Sequence, residues 1–348
     1  MKSNIFREKE EGNMKRLAVF FAGLMIVVFA GAQVLAQDVV RMRFGHVAPP
    51  MHAQHKASEW FAQYVEKESG GRIKCSTHPQ GQLGAHNQML EQLQVGTLEV
   101  TSVAGSALTD FVPEIALISL PFMFNTTEEM FLLLDSPVGK KIEAAFGPKK
   151  LYCGGFTTHG FKAFLNRKNA ITKIEDMGQS KWRVIPNELF IDTYKAMGVS
   201  PVTLPWPEVF SALQRGVIDG IDLTPNETWG AKIYEVVKYM SLCKLGQNPQ
   251  VYVASPIFLE KLPPDLKAIV IKGMKEAAKW HTAKVMEEDS TVVMPDLKAK
   301  GLQINEVSAA ELEKFRNAVK PVHDKWKAKL GAEIYDESVA FLKKARQK

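Results

Sequence analysis

The segment Lys181-Trp182-Arg183-Val184 sets a guanidinium in the middle of a short apolar run. Its planar fork can donate two parallel charge-assisted hydrogen bonds to a carboxylate, and it stays charged at any relevant pH. The chemistry on offer is therefore capture of an acidic small molecule. Pro205-Trp206-Pro207-Glu208-Val209-Phe210 and Gly216-Val217-Ile218-Asp219-Gly220 follow, an aromatic-capped helix and a tight Asp-Gly turn. The Trp206 indole would supply apolar wall and keep water from the Arg183 ion pair. Its other reading is core packing between lobes. Taken alone, a strand arginine is more often half of a structural ion pair.

Catalytic patterns do not accompany this arginine. The sequence holds no G-x-S-x-G elbow, Walker loop, G-x-G-x-x-G fingerprint or H-E-x-x-H motif. Gly154-Gly155 ahead of Phe156-Thr157-Thr158 is too short a signal for phosphate binding. His52 and His55 share one helical face near His46, but no spaced cysteines or carboxylates complete a metal shell. They read as a solvated helix face, and neither metal nor cofactor is expected.

The elements that would position Arg183 alternate. Val39 to Gly45, Arg72 to Thr77 and Leu98 to Ala104 read as strands, separated by helices over His52 to Lys67 and Ala85 to Val95. The alternation resumes with strands at Lys150 to Thr158, Lys181 to Ile185 and Pro201 to Leu204, and helices at Ile174 to Met177, Leu189 to Met197 and Pro207 to Gly216. Such spacing implies βαβ units on a largely parallel sheet. Two α/β units in one chain suggest two lobes with a cleft between. Pro264 opens a long helix towards Asp296, which Pro295 should kink, and Pro321 should interrupt a helix over Glu311 to Leu330.

Lys15 and Arg16, the apolar run Leu17 to Ala30, and small residues at Val34 and Ala36 form an export signal, with cleavage after Ala36. An uncleaved anchor is the alternative, and Met14 offers a second start. The net charge of +6 falls to +4 once the first 36 residues, five basic and three acidic, are removed. No basic run interleaved with aromatics suggests a nucleic-acid surface. Cys75, Cys153 and Cys243 allow at most one internal disulfide, or three free thiols.

In order along the chain, Gly81-Gln82-Leu83-Gly84, Gly96-Thr97-Leu98-Glu99, Phe111-Val112-Pro113-Glu114, Leu120-Pro121-Phe122-Met123-Phe124, Trp182-Arg183-Val184, Pro205-Trp206-Pro207-Glu208-Val209, Val217-Ile218-Asp219-Gly220 and Ala231-Lys232-Ile233-Tyr234-Glu235-Val236 resemble the solute-binding proteins of TRAP (tripartite ATP-independent periplasmic) transporters, C4-dicarboxylate type. The resemblance covers nearly all of the chain after the signal. It implies an α/β protein with two lobes, an interlobe cleft, hinge strands and a long helix, Pro264 to Asp296, bridging both. Lobe I would take residues 37–160 and 250–290, and lobe II residues 161–249 and 291–348. Hinges would fall near Phe161 and Val251.

The same resemblance makes Arg183 the carboxylate anchor and Trp206 a pocket wall. Lys162 falls where many members carry a second arginine, to hold another anionic group or line the entrance. Leu223 replaces a family asparagine, and Thr224 or Asn226 would substitute only if the loop path shifts. Asn187 either points into the cleft or caps the next helix. Ala104, Gly105 and Ser106 stand where some members carry polar or acidic residues for a sugar acid, and argue against a highly hydroxylated ligand while leaving room for a compact or aromatic one. The expected protein is a periplasmic monomer that hands a small organic anion (a carboxylate, whether 2-oxo, dicarboxylic or aromatic, or a small sulfonate) to large and small membrane subunits. A sensor signalling to a membrane receptor and a secreted enzyme are the alternatives.

Overall fold

The strand and helix alternation of the first third is realised in order in a computed structural model that describes residues 39–347. The export signal expected over residues 1–36 lies outside the described residues. Strand β1 (Val40–Gly45) leads into helix α1 (Ala53–Glu68), whose N-cap is His52: its Nδ1 accepts the Gln54 N–H at 3.0 Å. Then come β2 (Ile73–His78), α2 (His86–Val95), β3 (Val100–Ala104) and the single turn α3 (Gly105–Leu108). Gly96 ends α2 in the left-handed region at φ 75°, where a Cβ is disfavoured. Helices α4 (Thr127–Leu134) and α5 (Pro137–Ala144) follow, N-capped by Thr126 and Ser136. The long strand β4 (Tyr152–Phe161) closes this part.

The second part runs through β5 (Ala163–Asn166), β6 (Trp182–Val184), α6 (Glu188–Ala196), β7 (Val202–Thr203), α7 (Val209–Arg215), β8 (Gly220–Leu223), α8 (Pro225–Gly230) and β9 (Tyr239–Leu242). Strand β10 (Gln247–Ala254) returns to the first sheet, followed by α9 (Pro256–Lys261) and the 25-residue α10 (Pro264–Glu288). A π-helical turn over Asp289–Val293 separates α10 from α11 (Met294–Ala299). Pro295 lacks the N–H that would continue the ladder, so the widened turn in front of it is the expected kink. Strand β11 (Gln303–Glu306) and helices α12 (Ala309–Ala318), α13 (Lys320–Leu330) and α14 (Ala332–Ala345) complete the fold. Pro321 sits in the first turn of α13 and divides it from α12.

The two sheets have orders β2-β1-β3-β10-β4 and β11-β9-β5-β8-β6-β7. Both are mixed, where the sequence suggested largely parallel pairing. Strand β10 is antiparallel to β3 and β4, and β5 is antiparallel to β8 and β9. The antiparallel strands are those that carry the chain between sheets. It leaves the first sheet at Lys162, between β4 and β5, and returns through Cys243–Gly246, between β9 and β10. The crossings are bonded to each other: Lys162 N donates to the Gly246 carbonyl (3.0 Å) and Leu245 N to the Lys162 carbonyl (3.2 Å). Val251 lies in the returning strand β10, five residues past Gly246, paired with Val103 and Phe156.

Helix α10 lies on β4 because Gly154 and Gly155 leave room for it. A Cβ on Gly154 would come within 2.5 Å of Met274, and one on Gly155 within 3.2 Å of Ala278. The glycine pair is a packing device. Beyond the π turn, Val293 and Leu297 enter the core of the second sheet with Leu165, Ile221 and Met240. The helix thus bridges the two layers. Helix α13 packs on α6, and α14 on α4 and α5.

Candidate functional site

A cavity of about 70 Å³ is walled from both sides. The second sheet and its neighbours contribute Lys162, Arg183, Asp222, Leu223, Phe190, Trp206 and Glu227. The first contributes Ala104 at the end of β3 and Ser106 just beyond it, His159 of β4, Asn248 and Gln250 of β10, and His52, Gln54 and His86 at the starts of α1 and α2.

Arg183 owes its direction to strand alternation. Trp182 and Val184 enter the larger core, so Arg183 faces the other way. The Trp182 indole donates to the Met177 carbonyl at 2.8 Å and lies over Gly220 of β8, where a Cβ would come within 2.7 Å of its ring. Arg183 is 6% exposed. Its Nε donates to the Leu204 carbonyl at 2.9 Å, while the buried Nη2 has no partner in the protein. Burial lowers its pKa to about 10 against the opposing pull of Asp222 and Glu227, so it remains cationic at neutral pH. An unpartnered buried guanidinium edge is costly unless an anion meets it.

Lys162 faces the cavity, but Asp222 holds it at 2.8 Å and its ammonium lies 4.3 Å from the centre of the Phe190 ring. The Tyr194 hydroxyl donates to the other Asp222 oxygen at 3.0 Å. Trp206 is half-buried and lines both this cavity and an apolar crevice that continues past Pro49, Met51 and Phe210. Leu223 lines the cavity with its aliphatic side chain.

Two expected residues are elsewhere. Asn187 caps α6 by accepting the Leu189 N–H at 3.0 Å, and its amide reaches across to Thr109 and to Asp110 (3.1 Å). It does not line the cavity. Asn226 is buried beside Asp289 behind the cavity wall. Thr224 caps α8, with its N–H and hydroxyl donating to Glu227 at 3.1 and 3.2 Å, and neither it nor Asn226 lines the cavity.

The histidines correct the sequence reading. His46 and His52 are 0% and 3% exposed, and His55 is also buried, so they form no solvated face. His46 Nε2 lies 3.1 Å from His55 Nδ1, and the ring of His159 packs against His52 and His281. Burial lowers His52 and His281 well below the ordinary imidazole range and takes His46 to about 3. His86, on the cavity wall, is lowered to about 4 by lost solvation, then by His159 and Arg183. Among the described residues no group of three or more His, Cys, Asp or Glu side chains could hold a metal ion. Cys75, Cys153 and Cys243 are unpaired, with burial pushing each thiol up to about 12.

Sequence reasoning missed Glu227, His86, Gln54, Asn248 and Gln250. Local signals existed for Glu227 and for the helix-start residues Gln54 and His86, and none for Asn248 and Gln250. Thr224-Pro225-Asn226-Glu227 is a capping box directly after a strand, which turns its glutamate inward at the head of a helix. His52 and His86 open the helices that follow β1 and β2, where α/β sheets place ligands. The wall beside Ala104 and Ser106 is therefore polar and can meet hydroxyl groups, although those small residues by themselves argued against a highly hydroxylated ligand.

Two sheets, paired strand crossings, a bridging helix and a cavity between the sheets with a buried arginine define a two-lobed solute-binding protein of the TRAP type. Residues 44–329 match the family described as bacterial extracellular solute-binding protein, family 7, and the chain belongs to that family. A solute-binding protein of Verminephrobacter eiseniae is 30% identical over 92% of this chain and 93% of its own length. Among solved structures, the sugar-acid-binding protein DctPAm of Advenella mimigardefordensis, in complex with galactonate, is 29% identical with a TM-score of 0.84, covering 88% of this chain and 98% of that one. A TRAP periplasmic solute-binding protein of Polaromonas sp. JS666, bound to D-erythronate, is 28% identical with a TM-score of 0.82, covering 86% and 98%.

Proposed function

We propose that this chain is the extracytoplasmic solute-binding subunit of a TRAP transporter. It captures a small organic anion on Arg183, closes over it, and delivers it to the large and small membrane subunits without chemical turnover. The observation that carries this reading is the buried Arg183 guanidinium, hydrogen-bonded to Leu204 on one nitrogen and unpartnered on another, at a cavity enclosed from both sides. The galactonate and D-erythronate of the similar structures are small organic acids, which supports the ligand class.

In this reading Trp206 walls the carboxylate end, Ala104 and Ser106 face it across the cleft, Leu223 is an apolar contact, and Lys162 orders the hinge side through Asp222. Asn187 acts as a link across the cleft, and Asn226 supports the wall from behind. The lobes are residues 37–160 with 250–290 and residues 161–249 with 291–348, with α14 reaching back over the first. Signal cleavage after Ala36 releases the mature chain into the periplasm as a monomer. Calorimetry across organic acids, amines and neutral sugars tests the proposal. At least one carboxylate or sulfonate should bind tightly, and binding only of amines or neutral sugars would overturn it.

A further inference from the structure

Resting on that reading of the cleft, we infer that it selects a hydroxy- or oxo-substituted monocarboxylate over the dicarboxylate of equal length, and that Glu227 makes the distinction. The argument begins with the charges at the cavity wall. Besides the histidines, the ionisable side chains lining it are Lys162, Arg183, Asp222 and Glu227. Lys162 and Asp222 neutralise each other at 2.8 Å. That leaves one cation, Arg183, to receive a ligand carboxylate and one carboxylate, Glu227, to face whatever lies at the ligand's other end.

Glu227 is built to stay ionised. Its Oε1 accepts from His159 Nδ1 at 3.2 Å and from Asn248 Nδ2 at 2.7 Å, and its Oε2 from the Thr224 N–H and hydroxyl. Burial alone would raise its pKa, but the His159 hydrogen bond and the nearby Lys162 ammonium bring it down to about 2. Those four contacts fill its lone-pair sites, so its effect on a ligand is electrostatic. It repels a ligand carboxylate at close range and low dielectric.

The remaining polar wall is uncharged. Gln54, Asn248, Gln250 and Ser106 are neutral, and burial keeps the His52 and His86 rings so at neutral pH. Because His52 Nδ1 accepts from the backbone, its proton sits on Nε2, a buried donor with no protein acceptor. His86 Nδ1 is likewise buried without a partner. These groups match hydroxyl and carbonyl oxygens and offer nothing to balance a second negative charge. A void of about 70 Å³, set against roughly 10–15 Å³ for one water-sized probe position, suits an acid of about four or five carbons.

The test uses pairs that differ only in a terminal CH₂OH against COO⁻: L-threonate with L-tartrate, 4-hydroxybutyrate with succinate, and D-xylonate with xylarate. Calorimetry at pH 7.5 on the mature protein should find a monocarboxylate that binds at least about 100-fold more tightly than its dicarboxylate partner. In Glu227→Gln the ratio should narrow about tenfold or more, through gained dicarboxylate affinity. A wild-type dicarboxylate within about tenfold of its partner, or no monocarboxylate binding at all, overturns the inference without recourse to any variant. So does a folded Glu227→Gln protein with the ratio unchanged. Arg183→Ala separates this inference from the reading beneath it. If that variant loses binding while dicarboxylates win in the wild type, only the selectivity fails. If it binds the acids as well as the wild type does, the cleft itself is misread.

Discussion

Replacing Arg183 by alanine should remove ligand binding and leave the fold intact. The guanidinium is 6% exposed and shares its surroundings with Asp222 and Glu227. Truncating one partner of a buried charge pair costs on the order of 2–5 kcal/mol, or roughly 30-fold to several-thousand-fold in affinity. The upper part of that range applies here. Without Arg183 the wall holds one ammonium, already committed to Asp222, and an unbalanced Glu227, so the ligand loses its partner and meets net negative charge. Arg183→Lys keeps the charge but loses the Nε–H bond to Leu204 and the fork, and should weaken binding about 10- to 100-fold. The folded state should tolerate the loss, because burying a guanidinium with an open edge is costly to begin with. The assay is calorimetry paired with thermal melts. Ligand-free variants should melt within a few degrees of wild type, and the ligand-induced rise in Tm should vanish in Arg183→Ala. An Arg183→Ala affinity within about threefold of wild type would refute the reasoning.

Lys162→Met leaves Asp222 buried without its cation and should cost about 3–5 kcal/mol of stability, read by urea unfolding. Asn187→Ala removes both the α6 cap and the reach to Thr109 and Asp110, and should lower stability by about 1 kcal/mol while favouring an open cleft, seen as a larger radius of gyration in ligand-free scattering. Saturating ligand should reduce that radius in the wild type, and an unchanged value with unchanged spin-label distances across the cleft would count against closure. Acid should destabilise the protein early. His46 and His86 have folded pKa values of about 3 and about 4, below the unfolded 6.5, so the unfolded chain binds more protons between these limits. Their contribution is complete above pH 6.5 and is lost as pH falls towards 3. Glu227, lowered from 4.5 to about 2, adds a loss below pH 4.5. Urea midpoints should therefore drop from pH 7.5 to pH 5, and a flat profile over that interval would contradict the buried neutral imidazoles.

Most of the fold was legible where periodicity was strong. The helices from His52 and Pro264 and the strands around Phe44, Val103 and Arg183 carry patterns that local physics decides. The long returning strand β10 was not, because Gln247, Asn248, Pro249 and Gln250 carry no strand pattern of their own, yet all are buried there. Their setting is fixed by β3 and β4 on either side, partners roughly 90 to 150 residues distant in sequence, which no local window contains. The site divided in the same way. Arg183, Trp206 and Lys162 stood out as unusual residues within recognisable segments. Glu227 and the histidines looked ordinary on helix starts, and only the tertiary fold turned them towards one cavity. Asn187 carried two local readings, and its cap geometry selected the one that keeps it out of the cavity.

The two strand crossings are hydrogen-bonded to each other at Lys162, Leu245 and Gly246, and α10 with its π turn makes a third connection. Mechanically, the bonded pair is a single axle and the helix a strut set apart from it. Such a linkage leaves one soft coordinate, rotation about the axle, and resists twist and sliding. Lys162 lies on the axle itself, with its side chain held to Asp222 inside the cavity. The residue that fixes the pivot thus also feels the contents of the cleft, and a molecule that disturbs the ion pair would shift the angle at which rotation stops. Two ligands of equal affinity could then leave the lobes at different angles, and a membrane partner that reads the outer surface would transport only one of them.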